Sequence, residues 1–196
     1  MKLLKKQPIA VLIALLVVLG ATFYGANRSL GLEIRQVADQ FYDGVYDPIQ
    51  GRVLPSIYGQ LEQRATAALR MVSIGEHSHG DNVDLSDAAT DLLAARQDLI
   101  AMLMTGSPGE LFLADQVLDI AATRHYAILH PLVVAAEGED LAALESAYNT
   151  MQSAARVIRE SGYNEAVRGF HRNVLERFPA NLLMEIVFVR PPELFA

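Results

Sequence analysis

From Glu139 to Phe178 the chain has no proline, and apolar residues recur at alternating three- and four-residue steps. They are Leu141, Leu144, Tyr148, Met151, Ala155 and Ile158, then Tyr163, Val167, Phe170, Val174 and Phe178. Such steps put one seam on one face of a helix. At 1.5 Å per residue the helix would be on the order of 60 Å long. A helix of that length buries its seam only if other long helices lie along it. The seam changes phase between Ile158 and Tyr163, beside Gly162, which predicts a local bend or a change of partner.

The rest of the chain supplies matching seams. Leu30, Ile34, Val37 and Phe41 keep helical spacing up to Asp43-Gly44, after which Asp47-Pro48, Gly51 and Pro55 mark an irregular connection. Pro55 suits the first turn of a helix with the seam Ile57, Leu61, Ala65, Ala68 and Val72, and Gly75 to Asn82 reads as a turn. The next helix has Asp84 or Ser86 as cap, the stripe Ala88, Leu92, Ala95, Leu99 and Leu103, and Gly106 as its end. Ser107-Pro108-Gly109-Glu110 is a helix start with a serine cap, a proline at the first position and a glutamate three residues after the cap. Leu111, Ala114, Leu118, Ala121, His125 and Ile128 continue from it, and Pro131 is expected to break or kink the helix. No stretch alternates as a strand does. Short turns make consecutive helices antiparallel neighbours, so the expected fold is an all-α, long antiparallel bundle within one chain.

Ahead of the bundle, residues 9–26 are uncharged and mostly apolar, close to the lower bound for crossing a bilayer. Lys2, Lys5 and Lys6 precede this run, which would hold the N-terminus in the cytoplasm and the remainder outside it. A cleaved signal peptide is the competing reading. The exit, Leu19 to Ala26, lacks a clean pair of small residues ahead of a cut, and Phe23 and Tyr24 suit the headgroup zone, so an uncleaved anchor is preferred. The expected organisation is a basic N-terminus (1–8), a transmembrane anchor or signal segment (9–26), an extracytoplasmic bundle (27–180) and an apolar C-terminal tail (181–196).

Charge narrows the partners. The formal net charge is −7, and all three lysines precede the apolar run. No basic tract remains to displace counterions from phosphate, so nucleic-acid binding is set aside. The chain has no cysteine, which excludes disulfides, thiolate metal sites and thiol catalysis.

Few residues suggest chemistry. Glu76-His77-Ser78-His79 places potential ligands close together, and His125 or His130 would have to complete a metal site from within the bundle. Against this, imidazoles near a helix C-terminus suit its dipole, and His125 falls on a core seam. Glu76-x-x-His79 is half of a di-iron pattern with no second copy, and no nucleophile elbow, phosphate loop or dinucleotide fingerprint occurs. The expectation is therefore no catalytic residues and no cofactor, with a metal-binding module or metal-dependent enzyme using His77, His79 and a bundle histidine as the alternative. Asn164, beside an aromatic on the seam, is read either as a register-fixing polar bond to a neighbouring helix or as a solvated flank residue. Glu165 with Arg168 reads as a solvated helix-face pair. The stretch 181–189, apolar almost all round, either folds back over one end of the bundle or docks on a partner or the membrane surface.

Tyr163-Asn164-x-x-Val167, then Arg177-Phe178-Pro179-x-Asn181-Leu182, and a terminal Pro-x-x-Phe from Pro192 to Phe195 resemble the C-terminal signature of the LemA family. Phe41-Tyr42-Asp43-Gly44-Val45 and Gln60-Leu61-x-x-Arg64 are weaker echoes, and the N-terminal plan of a cationic start, one span and long helices is similar. The chain departs from the family in having Phe170-His171 where a second Tyr-Asn is expected and Thr66-Ala67-Ala68-Leu69 in place of an Asp-Leu-Ile-Pro-Asn-Leu-Val stretch; a Thr-Glu-Asn-Arg run ahead of Tyr163 is missing too. The resemblance implies a divergent, membrane-anchored helical bundle facing out of the cytoplasm, and no catalytic residues. A non-enzymatic scaffold or adaptor in the cell envelope is the corresponding expectation. Its structural or interaction residues would be Tyr163, Asn164, Val167, Phe170, Phe178, Pro179, Asn181, Leu182, Ile186 and Phe188. Its partners would be the membrane, and other envelope proteins or a second copy through the tail.

Overall fold

The computed structural model describes residues 7–47, 51–79, 81–136, 140–176 and 191–196. Among these the chain is almost wholly helical: α1 (Gln7–Tyr42), a hairpin of β1 (Val45–Asp47) and β2 (Arg52–Leu54), α2 (Ile57–His79), α3 (Val83–Thr105), α4 (Pro108–Ala135), α5 (Asp140–Glu160) and α6 (Tyr163–Phe170). A π-helical turn, His171–Leu175, follows α6. The all-α expectation therefore holds. The chain divides into two compact units, one made of residues 1–38 and 165–192, the other of 39–164 and 193–196.

The second unit holds the bundle. Its central helix is α2, which packs on α3, α4 and α5, while α4 also packs on α3 and α5. Serving several neighbours requires a broad buried surface, and α2 has one: Ile57, Leu61, Ala65, Ala67, Ala68, Met71 and Val72 are all buried. Outer helices need only a stripe. On α5 that stripe is Leu144, Ala147, Met151, Ala154 and Ile158, at steps of three and four. Alanines in these stripes let helix axes approach closely, and the larger Leu92, Leu99, Leu118 and Leu129 fill the spaces between them.

Helix ends follow local chemistry, with corrections to the sequence reading. The α4 start is as expected: Ser107 Oγ accepts from the Glu110 N–H at 3.4 Å, and the Glu110 carboxylate accepts from the Ser107 N–H at 2.8 Å. At α3 the cap is Asn82, whose Oδ1 accepts from the Leu85 N–H at 3.0 Å, rather than Asp84 or Ser86. Pro55 lies outside α2, where Ser56 Oγ accepts from the Gly59 N–H instead. The turn expected over 75–82 is largely helix, since α2 runs to His79. Gly75 acts there as a packing residue: a β-carbon on it would lie 3.4 Å from Leu85 and 3.5 Å from His125. Nor does Pro131 end α4. The carbonyl that a helical proline leaves unpaired is that of the residue four before it, Ala127, which is exposed to water.

Two differences are larger. The single helix expected over 139–178 is interrupted at Ser161-Gly162, between α5 and α6. Gly162 has φ +72°, a left-handed conformation that ends a helix and favours glycine. The hairpin was not anticipated, because three-residue strands are too short to display a period of two. Its register pairs Val45 with Leu54, Tyr46 with Val53 and Asp47 with Arg52. Gly44, at φ +82°, makes the hairpin's close approach: a β-carbon there would lie 2.1 Å from the Leu54 carbonyl oxygen.

In the first unit α1 carries the apolar N-terminal run and continues helically through Leu30, Ile34 and Val37. It is long and apolar enough to cross a membrane by length and composition. Leu30, Val167 and Phe170 are buried, and Glu165 and Arg168 form an exposed pair at 3.6 Å, as expected.

Candidate functional site

The most specific polar geometry in the second unit surrounds its C-terminal segment. Gly162 turns the chain so that Tyr163 and Asn164 open α6, a helix start whose first N–H groups have no helical partner. The Tyr163 N–H meets Ser161 Oγ at 3.3 Å. Freed from α5, the two side chains reach residues 193–195. The Tyr163 hydroxyl donates to the Glu193 carbonyl at 2.8 Å. Asn164 Nδ2 donates to the Phe195 carbonyl at 2.8 Å, and Asn164 Oδ1 accepts from the Phe195 N–H at 2.8 Å. One carboxamide thus pairs with both main-chain groups of a single residue, as a neighbouring strand would. All three bonds read the main chain, at residues 193 and 195, and none reads a side chain.

Side-chain recognition comes from an aromatic cluster. The Phe195 ring is buried, with its centroid 5.9 Å from Phe41 and 5.3 Å from Phe112, the latter edge-on. Phe41 also lies 5.2 Å from Tyr163. Burial, followed by the neighbouring Tyr42 and Glu193, pushes the Tyr163 phenol up to about 12. The hydroxyl therefore keeps its proton, and remains a donor to the Glu193 carbonyl, throughout the physiological range.

Favourable contacts and the cost of ordering oppose one another in this docking. Three hydrogen bonds contribute about 0.5–1.5 kcal/mol each. Burying the phenylalanine adds roughly 1.5–3 kcal/mol, and fixing the backbone of four residues costs about 1–2 kcal/mol each. The favourable and ordering terms are thus of the same order of magnitude.

A second polar cluster lies inside the bundle. Arg64 on α2 is only 1% exposed. Its Nε lies 2.6 Å from Asp115 Oδ1, its Nη2 donates to Asp119 Oδ1 at 2.7 Å, and its Nη1 donates to the Met151 carbonyl at 3.2 Å. One guanidinium thereby ties α2 to α4 and α5. Burial pushes the Asp115 carboxyl above its usual range, against the lowering pull of the adjacent Arg64 charge. This arrangement couples the register of the three helices.

His125 is the third buried polar residue. Its Nε2 lies 3.3 Å from the Met71 carbonyl, so Nε2 carries the proton, and burial lowers the imidazole's proton affinity. It borders a cleft of about 100 Å³ with Gly75, Leu85, Ser86 and Thr90. His77 is exposed on α2, and the His79 side chain lies outside the described residues. Among the described residues no group of three His, Cys, Asp or Glu side chains converges to hold a metal ion.

Of the interaction residues expected from sequence, the structure gives Tyr163 and Asn164 a shared role, holding the C-terminal segment. Asn164 neither bonds to a neighbouring helix nor stands solvated. Val167 and Phe170 are buried in the other unit, where His171 Nε2 lies 3.0 Å from the Pro192 carbonyl. Phe178, Pro179, Asn181, Leu182, Ile186 and Phe188 lie outside the described residues, as does the whole 181–189 stretch. Missed from sequence were Phe112, which sits beside its helix's seam rather than on it, and the pairing of Arg64 with Asp115 and Asp119. Both depend on contacts between residues more than fifty positions apart. No family model, curated protein or solved structure matches the chain.

Proposed function

We propose that the chain is a membrane-anchored, non-enzymatic helical-bundle protein that serves as a scaffold or adaptor for other proteins of the cell envelope. The observation that carries this reading is the exposure of α1: every large apolar side chain from Val11 to Leu19 is between 55% and 66% exposed. A run of that length left to water carries a heavy hydrophobic cost, which a bilayer removes. The lysines ahead of it orient the N-terminus to the cytoplasm and the bundle to the outside. The polar interior supports a scaffold over an enzyme, because Arg64, Asp115 and Asp119 are engaged with one another and with the Met151 carbonyl. The resemblance of Tyr163-Asn164, Phe178-Pro179 and Pro192-x-x-Phe195 to the LemA signature fits the same reading.

Membrane fractionation of the full-length chain tests the anchor. The protein is expected to stay in the pellet through an alkaline wash and to become soluble when residues 9–26 are deleted. Release of the intact chain by the wash would overturn the anchor. For the scaffold role, crosslinkers placed at positions 182–189 in intact cells are expected to capture an envelope protein or a second copy. Silence at every position would remove the docking role of that stretch.

A further inference from the structure

We propose that the cleft between α2, α3 and α4 is a binding site for a small uncharged molecule that donates a hydrogen bond to His125 Nδ1 from a hydroxyl or a ring N–H. The inference goes beyond the scaffold reading and depends on neither the anchor nor the family resemblance, because every residue of the cleft belongs to the bundle unit.

The cleft has a buried floor and a polar rim. Gly75, Leu85, Ala89 and His125 are buried and make the floor, while Glu76, Ser86 and Thr90 are exposed around the mouth. On that floor the imidazole uses only one of its nitrogens. Nε2 holds its proton against the Met71 carbonyl at 3.3 Å, which leaves Nδ1 with a lone pair that can accept. Nδ1 is buried and has no hydrogen-bond partner among the described residues. Buried acceptors are rarely left in that state, and this one calls for a donor.

Gly75 is the second feature. It lies inside α2, where glycine is a poorer helix former than alanine. Space does not require it: a β-carbon there would lie 3.4 Å from Leu85 and 3.5 Å from His125 Cε1 and Nε2, ordinary contact distances. An alanine would fit, favour the helix and cover that edge of the imidazole. What the glycine preserves is open space against Cε1, the carbon bonded to Nδ1.

The ligand class follows from what the cleft offers. Its floor carries no charged side chain, and Glu76 is exposed at the rim, so a cation seated on the floor would lose water without gaining a buried counterion. An anion would meet a lone pair and a carboxylate, and a molecule without a donor would leave Nδ1 unpaired. An uncharged donor satisfies each of these conditions. The cleft holds about 100 Å³, against about 150 Å³ for a cavity that binds benzene, so it takes about four or five non-hydrogen atoms.

Three five-membered rings provide the test, with the full-length protein held in lipid nanodiscs. Pyrazole is an uncharged N–H donor, N-methylpyrazole lacks the donor, and pyrrolidine is an ammonium at neutral pH. Binding is read from the ring nitrogen resonances of isotope-labelled histidine, with His125 identified by its absence from His125→Leu. Pyrazole is expected to bind saturably and to move the Nδ1 resonance upfield, as donation to its lone pair does. N-methylpyrazole and pyrrolidine should bind at least tenfold more weakly. Gly75→Ala, whose added methyl the contact distances tolerate, should weaken pyrazole binding at least tenfold. No saturable shift at Nδ1 would overturn the site, and unchanged affinity in Gly75→Ala would overturn the cleft as its location. Equal binding of N-methylpyrazole would overturn the role of the donor, and tighter binding of pyrrolidine would overturn the uncharged class.

Discussion

Replacing Arg64 with methionine isolates the contribution of the buried ion cluster, because methionine keeps most of the side chain's length and removes only its charge and donors. Asp119 is nearly half exposed, so losing that contact costs roughly 0–1 kcal/mol. Asp115 is different: its side chain is 14% exposed, and Arg64 is the ion paired with it at 2.6 Å. Removing one partner of a buried pair leaves an uncompensated charge, at a cost of about 3–5 kcal/mol. A typical domain has about 5–15 kcal/mol in total, so the loss is a large share. The sign of its pH dependence follows from the remaining carboxyl. Burial already holds Asp115 above its ordinary value, and the influences that lower it both come from Arg64. In the variant its folded value climbs further, so the folded state keeps a proton that the unfolded state has released. Stability of the variant therefore falls as pH rises from the ordinary carboxylate range through the raised folded value. Urea unfolding of the full-length protein in micelles, followed by far-UV circular dichroism at about pH 4 and about pH 8, reads both effects. The deficit against wild type should be larger at the higher pH. Adding Asp115→Leu should recover most of it, since an apolar replacement needs no counterion. A loss below about 1 kcal/mol, a deficit independent of pH, or a double variant no more stable than the single one would refute the reasoning.

Two further outcomes follow from the same structure. Gly44→Ala forces a β-carbon to within 2.1 Å of a backbone carbonyl, whereas Gly51→Ala, at φ +65° with nothing within 4 Å, meets only the left-handed penalty of about 1–2 kcal/mol. Thermal unfolding should therefore rank Gly44→Ala as clearly the more damaging, and the reverse order would refute the hairpin's geometry. His125, held neutral by burial, has a folded value below its usual 6.5. The unfolded state takes up that proton first, so wild-type stability drops as pH falls below about 6.5. His125→Leu should flatten that slope relative to wild type in denaturant titrations across this range; equal slopes would show that folding leaves the imidazole's proton affinity unchanged.

Helix existence was readable because it depends on nearby residues. Ser107, Pro108 and Glu110 dictate the α4 start whatever lies beyond them, and a three–four apolar repeat is amphipathic in any context. Boundaries were less readable, since Gly75 and Gly162 look alike in sequence. One is packed inside a helix against Leu85 and His125, and the other turns the chain at φ +72°. Similarly, Asn164 had two defensible readings until its partner appeared at Phe195.

By itself, then, the sequence determined the all-helical class, the apolar first helix, the acidic balance, and the presence of the Tyr163-Asn164 and Pro192-x-x-Phe195 motifs. Those are properties of composition and of short-range spacing. Only the tertiary structure decided that these two motifs meet, with Asn164 gripping both amide groups of Phe195 and Tyr163 holding Glu193. It likewise decided that Arg64 lies buried between Asp115 and the Met151 carbonyl. The physical reason is the same for both: hydrogen bonds and ion pairs act over about 3 Å, and which distant residues come that close is set by how helices pack.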